Sequence, residues 1–429
     1  MGSTTDPRGL RVLVAGGGIG GLTAAIALRQ QGHEVEVFEK SRAHREVGAA
    51  VFLAPNCTAA LSHLDLDPGN FGSTLYRSYK LCNAKGEIQA QGTVPEEERA
   101  KWVAPWWMTS RVELHNALKQ KAASSDGPGL PVKIHTDLGV DSVDCETASL
   151  TLSDGTIVTG DLVVGADGVH SKTRRSVVGR DVPLVSSGQA CYRWLMPKSL
   201  LTENPATNVI VDQPGLFVQV AGPDKHLVFY PLGSAAVTNS VMFVPREVVG
   251  EIKRGGTGHD QKANKELLLS HSASLPTPLL RMLEKVPPEN IKLWDLLDME
   301  LLPSFINGKA VLIGDAAHPF LPYMGQGAAQ AIEDGVALGA VFPPGTPASE
   351  IPRRLELWQR CRKDRAQKIV EITRASHHRK PAADLGDDSL AGIEVDEAMK
   401  YCIQHDTWKY VKEQTKAWVE EEAKSRVVS

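Results

Sequence analysis

RVLVAGGGIGGLTAAIALRQQGHEVEVFEK, residues 11–40, decides the fold. RVLVAG is a short apolar run suited to a buried parallel strand, and GGIGG is a turn. LTAAIALRQQG is helix-forming and closes on Gly32, after which EVEVFEK reads as a second strand. This is a strand–helix–strand unit of about thirty residues. Within it stands Gly16-x-Gly18-x-x-Gly21. The first glycine permits the tight turn, the second lets a pyrophosphate approach the backbone, and the third lets helix pack closely on strand. A diphosphate sits well on such a helix N-terminus, where unpaired N–H groups and the dipole favour an anion. Glu39 closes the second strand, where a carboxylate can accept both hydroxyls of an adenosine ribose. The frame points to a dinucleotide without choosing between NAD and FAD. A glycine turn of purely structural use is the bland alternative.

Composition narrows the class. At 429 residues the chain is long enough for about three folding units and a large core. Apolar residues at 42% and charged ones at 23% are ordinary for a globular protein, which excludes wholesale disorder. A formal charge of -4 leaves no electrostatic footprint for nucleic acid. Six cysteines are scattered without a C-x-x-C pair, as expected of buried thiols in a reducing compartment. MGSTTDPRGL carries no apolar signal core, and no run of 18 apolar residues offers a membrane span. A cytoplasmic protein with no stable membrane insertion, monomer or homodimer, is expected.

Further along, residues 111–123 have helical spacing, and the segments from 132 to 168 alternate like a meander of strands. From 181 to 291 β-rich pieces dominate: QACYRWLM, NVIVD, LFVQVAG, HLVFYPLG and VTNSVMFVP. IKRGGTGHDQKAN, polar and glycine-rich, reads as a surface loop. AVLIGDAAH is strand then turn, GAAQAIEDGVALGAVF a helix, and residues 353–380 a long charged helix. The last fifty residues read as a helical appendage. His377-His378, a lone pair on a charged helix, is not taken as a metal site.

Two later segments choose the cofactor. Gly165-Ala166-Asp167-Gly168, after DLVV, resembles the DG motif of flavin-dependent aromatic hydroxylases. Gly314-Asp315-Ala316-Ala317-His318-Pro319 resembles their GD motif, continuing as Pro322-x-x-Gly325-Gln326-Gly327 and ending at Glu333-Asp334. With the first motif these cover residues 10 to 375 in order. The chain therefore resembles a single-component, class A FAD-dependent aromatic monooxygenase, salicylate-hydroxylase-like and of the fungal secondary-metabolism type. The resemblance implies an α/β fold: a Rossmann-like, p-hydroxybenzoate-hydroxylase-like FAD-binding domain (8–80, 111–180, 292–375). An interleaved β-sheet substrate domain (81–110, 181–291) and a C-terminal helical segment (376–429) complete it. It implies non-covalent FAD, NAD(P)H as cosubstrate without a Rossmann domain of its own, and O2. Hydroxylation or epoxidation of a phenol or indole follows, through a flavin C4a-hydroperoxide.

Residue by residue, the resemblance places Gly16, Gly18, Gly21, Glu39, Arg111, Asp167, Asp315, Gly325, Gly327 and Ala328 at the cofactor. Asp315 would accept from the ribityl chain, and Arg111 would reach the phosphate and ribityl region. Asp167 would serve structure and the cofactor entrance. The helix beginning at residues 325–328 would turn its positive end to the flavin and stabilise the anionic reduced ring. Pro322 would lie beside that ring, and Pro55-Asn56 would form a flavin-side loop. On the substrate side, Arg193 and Tyr230 are the catalytic candidates. Tyr192 and Arg193 alternate, so only one faces the flavin, and Arg193 is chosen. A domain-seam ion pair for Arg193, or a core position for Tyr230, remains open. The chain departs from many relatives at Asp298-Met299, where they carry Asp-Arg. A halogenase is disfavoured because W-x-W-x-I-P is absent; a non-catalytic FAD binder is the other rival.

Overall fold

A computed structural model describes residues 9–42, 50–203, 205–208, 213, 215–222, 225–232, 237–250, 261–273, 275–377, 389–390 and 393–428. Residues 209–212 of the expected NVIVD strand, positions 252–260 of the expected loop, and His378 lie outside them.

The strand β1 (Arg11–Ala15), the helix α1 (Ile19–Gln30) and the strand β2 (Glu34–Glu39) form as the sequence reads. β1 and β2 pair in parallel, Val12 with Val35 and Val14 with Val37. β1 also pairs in parallel with Leu162–Gly165, which in turn pairs with Ala310–Leu312. Six strands make this sheet, in the order 306–307, 310–312, 162–165, 11–15, 34–39, 133–136. Its centre is aliphatic and fully buried, as a sheet covered on both faces must be. The sheet's importance for function is where its strands end. The turn after β1, the segment after Gly165 and the segment after Leu312 all emerge at one edge, where ligands of open α/β sheets bind. The meander expected in this region is present as a separate three-stranded sheet of Val140–Asp144, Ser149–Leu152 and Ile157–Thr159.

The second layer is an eight-stranded sheet in the order 261–262, 292–298, 185–197, 237–245, 226–232, 216–221, 78–83, 88–93. All neighbours are antiparallel except Leu216–Ala221 with Ser78–Asn83. Alternation gives it two faces. Tyr192, Trp194, Phe229 and Met242 point to a core closed by the helices Lys265–His271 and Thr277–Lys285. Arg193, Val241, Val228 and Tyr230 point the other way. Pairing moves the expected edges of the substrate domain. Ser78–Asn83 and Lys292–Asp298 both belong to the large sheet, whereas Trp107–Ser110 pairs with Ala50–Leu53 and Thr74–Leu75 in a small one. Lys292–Asp298, which begins where the FAD-binding domain was expected to resume, pairs with Val185–Pro197.

The C-terminal region is more than an appendage. Val395–Ile403 packs on Pro55–Ser62, and Thr407–Val428 packs on Gly327–Val341. Val411 is fully buried in the main core, where its helix packs on Gly327–Val341 and on Ile351–His377. Among the described residues no helix is long and apolar enough to cross a membrane.

Candidate active site

One cavity of about 640 Å³ runs from the start of α1 to the inner face of the large sheet. At its first end the three glycines have separable reasons. Gly16 sits at φ +103°, and a Cβ there would lie 2.4 Å from the Ala166 carbonyl oxygen. A Cβ on Gly21 would lie 2.0 Å from the Gly16 carbonyl oxygen. Gly18, by contrast, has no heavy atom within 4 Å of its Cβ position and lines the cavity. It caps α1 without any side-chain hydrogen bond, and with Ile19 and Gly20 it brings the helix's N-terminal turn to the cavity. Glu39 accepts from Gly17 N (2.8 Å) and Ser41 N (2.7 Å), which orients its carboxylate at the end of β2. His115 Nε2 contacts the Gly17 carbonyl at 2.9 Å, steadying the turn from the helix Arg111–Ala123.

Midway along, Arg111 and Asp315 line the cavity. Asp315 is exposed within an otherwise buried run from Ala310 to Pro319, a carboxylate held out into the open volume. Arg174 joins the two later motifs: it donates to the carbonyls of Ala316 (2.8 Å), Asp315 (2.8 Å) and Val169 (3.0 Å). Sequence reading missed it, since an arginine on a short helix carries no motif. Asp167 does not line the cavity. Its carboxylate accepts from Ser171 Oγ, Thr173 Oγ1, Lys172 N and Thr173 N, all within 3.0 Å, and so closes its own loop.

At the far end, Pro322, Gly325, Gly327 and Ala328 line the cavity where the helix Gly327–Val341 begins. Gly325 at φ +62° turns the chain into that helix. Asn56 does not reach the cavity; Glu333 and Asp334 lie beneath it. Asn56 Nδ2 donates to Gln326 Oε1 (3.1 Å) and Glu333 Oε1 (2.6 Å). Arg362 and Arg365 bind Glu333, Arg362 also binds Asp334, and His318 Nε2 lies 2.7 Å from Asp334. Asp334 further accepts from Gly314 N at 2.9 Å, so this buried network holds the start of the 314–319 segment. Burial pushes the Glu333 carboxyl up, but the Arg365 and Arg362 guanidiniums outweigh it and hold it well below the usual range.

The large sheet supplies the opposite wall. Arg193 is 8% exposed. Its Nε donates to Asn239 Oδ1 (3.3 Å), one Nη to the Ala50 carbonyl (3.2 Å), and its guanidinium lies 4.9 Å from the Trp294 ring centre. No described carboxylate pairs with it. Burial pulls its pKa down to about 10, against the pull of Tyr230, so it stays charged at neutral pH. Burial pushes the Tyr230 hydroxyl up to about 12 although Arg193 opposes the shift. Aromatic rings that the motifs do not announce close the wall: Phe52 lies 4.4 Å from Tyr230 and 5.5 Å from Phe217 by ring centres, and Trp106 lies 6.1 Å from Phe52. Met399, from the C-terminal segment, also lines the cavity.

A sequence profile described as FAD binding domain matches residues 9–373. The chain belongs to this family, the FAD-dependent monooxygenases. It is 31% identical to hispidin-3-hydroxylase of Neonothopanus nambi over 376 residues, 84% of this chain and 87% of that protein. Other relatives of the flavoprotein are named FAD-dependent monooxygenases. In fold it resembles CtdE in complex with FAD and a substrate, at TM-score 0.78 and 21% identity, covering 96% of this chain and 100% of that one. Salicylate hydroxylase in a substrate complex follows at TM-score 0.75 and 22% identity, with 95% and 98% covered. The cavity fits FAD on this chain's own features. Gly18 leaves a cradle that a Cβ would enter, Asp315 holds a carboxylate into the middle, and the Gly327 helix opens onto the far end.

Proposed function

We propose that this flavoprotein uses NAD(P)H and O2 to hydroxylate a phenol-type aromatic small molecule in secondary metabolism, working in the cytoplasm. The observation that carries the reading is Arg193: a buried guanidinium, without a carboxylate partner among the described residues, set beside a buried tyrosine on the cavity wall. An uncompensated buried cation is costly, and the cost is offset when an anion binds there. A phenol oxygen next to Arg193 loses its proton more readily. Tyr230, which stays protonated, donates a hydrogen bond to the resulting phenolate.

Bound FAD, once reduced, supplies the activation of O2. The chain's part is position and charge. Gly16, Gly18 and Gly21 shape the turn for the pyrophosphate, Glu39 receives the adenosine ribose, and Arg111 and Asp315 receive the linker between phosphate and ring. Gly325 leads into the helix that Gly327 and Ala328 begin, and the positive end of that helix would stabilise negative charge on a reduced flavin bound there. Pro322 borders the ring position. Asp167 acts indirectly, by holding the loop after Gly168. Phe52, Trp106, Phe217 and Trp294 exclude water from the reacting carbon. Ionisation of the phenol raises electron density at that carbon, which is what makes it attack an oxygen electrophile.

The test is NADH and NADPH oxidation by the FAD-loaded protein against a panel of phenols and indoles, with product analysis. The reading expects a phenol to accelerate NAD(P)H oxidation and to gain one oxygen. FAD bound without turnover across the panel would identify a non-catalytic binder instead.

A further inference from the structure

Strand register on the cavity wall sets two polar groups at opposite ends of an apolar floor. Arg193 pairs with Val241, Val241 with Val228, and Val228 with Gln219, so the four stand in one row across four strands. At about 4.8 Å per strand the two ends are about 14 Å apart between Cα atoms. Between them Val241 and Val228 offer only aliphatic surface. Two residues along the strands to either side, the row is flanked by Tyr230 and Phe217, and by Phe243 and His226.

Gln219 lines the cavity, and no described residue hydrogen-bonds its side-chain amide. Its strand Leu216–Ala221 otherwise alternates buried apolar residues with half-buried ones. A glutamine on the inward row of an aromatic-lined wall has a polar amide to satisfy, and ligand is what the cavity admits there. The neighbouring His226 ring is neutral at pH 7, since burial pulls its pKa to about 4. Along this row and its flanks the charge therefore sits at the Arg193 end, and the Gln219 end faces a neutral group.

We infer that Gln219 is a specificity residue forming a second polar subsite, which takes the far hydroxyl or carbonyl of an elongated, two-ring phenol whose reacting ring lies at Arg193. The inference rests on the phenol reading above. A single-ring phenol leaves the floor and the Gln219 amide unfilled, whereas two linked rings cover Val241 and Val228 and bring a terminal hydroxyl to the amide.

The experiment uses the FAD-bound protein and three probes: phenol, 4-phenylphenol and 4,4′-dihydroxybiphenyl. Binding is read from perturbation of the flavin spectrum, and turnover from stimulated NAD(P)H oxidation. In the unaltered protein 4-phenylphenol should bind more tightly than phenol, and 4,4′-dihydroxybiphenyl about threefold to tenfold more tightly still, the scale of one added hydrogen bond. Gln219→Leu should erase the second step and leave phenol and 4-phenylphenol unchanged. Gln219→Glu should weaken 4,4′-dihydroxybiphenyl less than Leu does, since the carboxylate still accepts from a hydroxyl. Equal binding of the two biphenyls before substitution, or uniform weakening of all three probes by Gln219→Leu, would overturn the inference while leaving the phenol reading intact. Failure of all three to perturb the flavin would instead bring down the phenol reading, and the subsite with it.

Discussion

In the proposed reaction, Arg193 and Tyr230 are the single residues asked to favour the phenolate. Both are buried on the cavity wall, and Arg193 is held by Asn239, the Ala50 carbonyl and the Trp294 ring, with no neutralising carboxylate among the described residues. Arg193→Ala should cut product formation by about tenfold to a thousandfold, the range for losing one charge-stabilising donor. FAD content should be retained and peroxide released, measured by flavin absorbance and a peroxide assay. Tyr230→Phe should be milder. Because each residue favours the phenolate, removing either raises the bound phenol's pKa. The acid limb of the pH–rate profile should therefore move to higher pH, further for Arg193→Ala than for Tyr230→Phe. An unmoved limb in both variants would assign the pair to packing.

Among elements, the turn between β1 and α1 separates folding from binding. A Cβ on Gly21 meets the Gly16 carbonyl at 2.0 Å, while one on Gly18 meets nothing within 4 Å. Gly21→Ala should therefore lower stability by about 1–3 kcal/mol, the usual scale of overpacking. Gly18→Ala should unfold like the parent but lose FAD affinity, checked by thermal unfolding of the FAD-free protein and by FAD titration. This element was legible in the sequence because a parallel strand, a glycine turn and a helix each leave local marks. So were the segments 165–168 and 314–328. For Asn56 and Asp167, motif position gave the neighbourhood but not the direction of the side chain. Asn56 turns inward to Glu333, and Asp167 turns back on its own loop. The aromatic wall was illegible, because Phe52, Trp106 and Phe217 come from distant segments that only strand pairing and packing unite.

Taken whole, the molecule ties the helix Pro55–Ser62, the long helix Ile351–His377 and its C-terminal segment together through the buried Glu333 network. Arg362 and Arg365 from the long helix, Thr407 from the last helix, and Asn56 all bind that carboxylate. Arg365 also donates to the carbonyls of Tyr401 and Cys402, which ties Met399 and its helix to the cavity. Glu333→Gln leaves two buried guanidiniums without that anion and should cost about 3–5 kcal/mol, read from denaturant unfolding. The folded-state pKa of Glu333 is depressed, so its stabilisation is fully present above the ordinary carboxylate range. It is lost as pH falls through the depressed value, and the parent should lose more stability on acidification than the variant does. A C-terminal region read as an appendage thus shares the active site's foundation. Its helices were visible in sequence, but their docking depends on contacts with distant helices that only the folded chain brings together.

The central claim, oxygen transfer to a phenol at Arg193, is tested most directly with ¹⁸O2. FAD-loaded protein, NAD(P)H and the phenol that best accelerates its oxidation are incubated under the labelled gas, and the product is weighed by mass spectrometry. The account predicts one ¹⁸O atom in the product of the parent protein, and labelled peroxide in place of product for Arg193→Ala. Phenol returned unlabelled while the parent protein converts all of the consumed O2 to peroxide would contradict it.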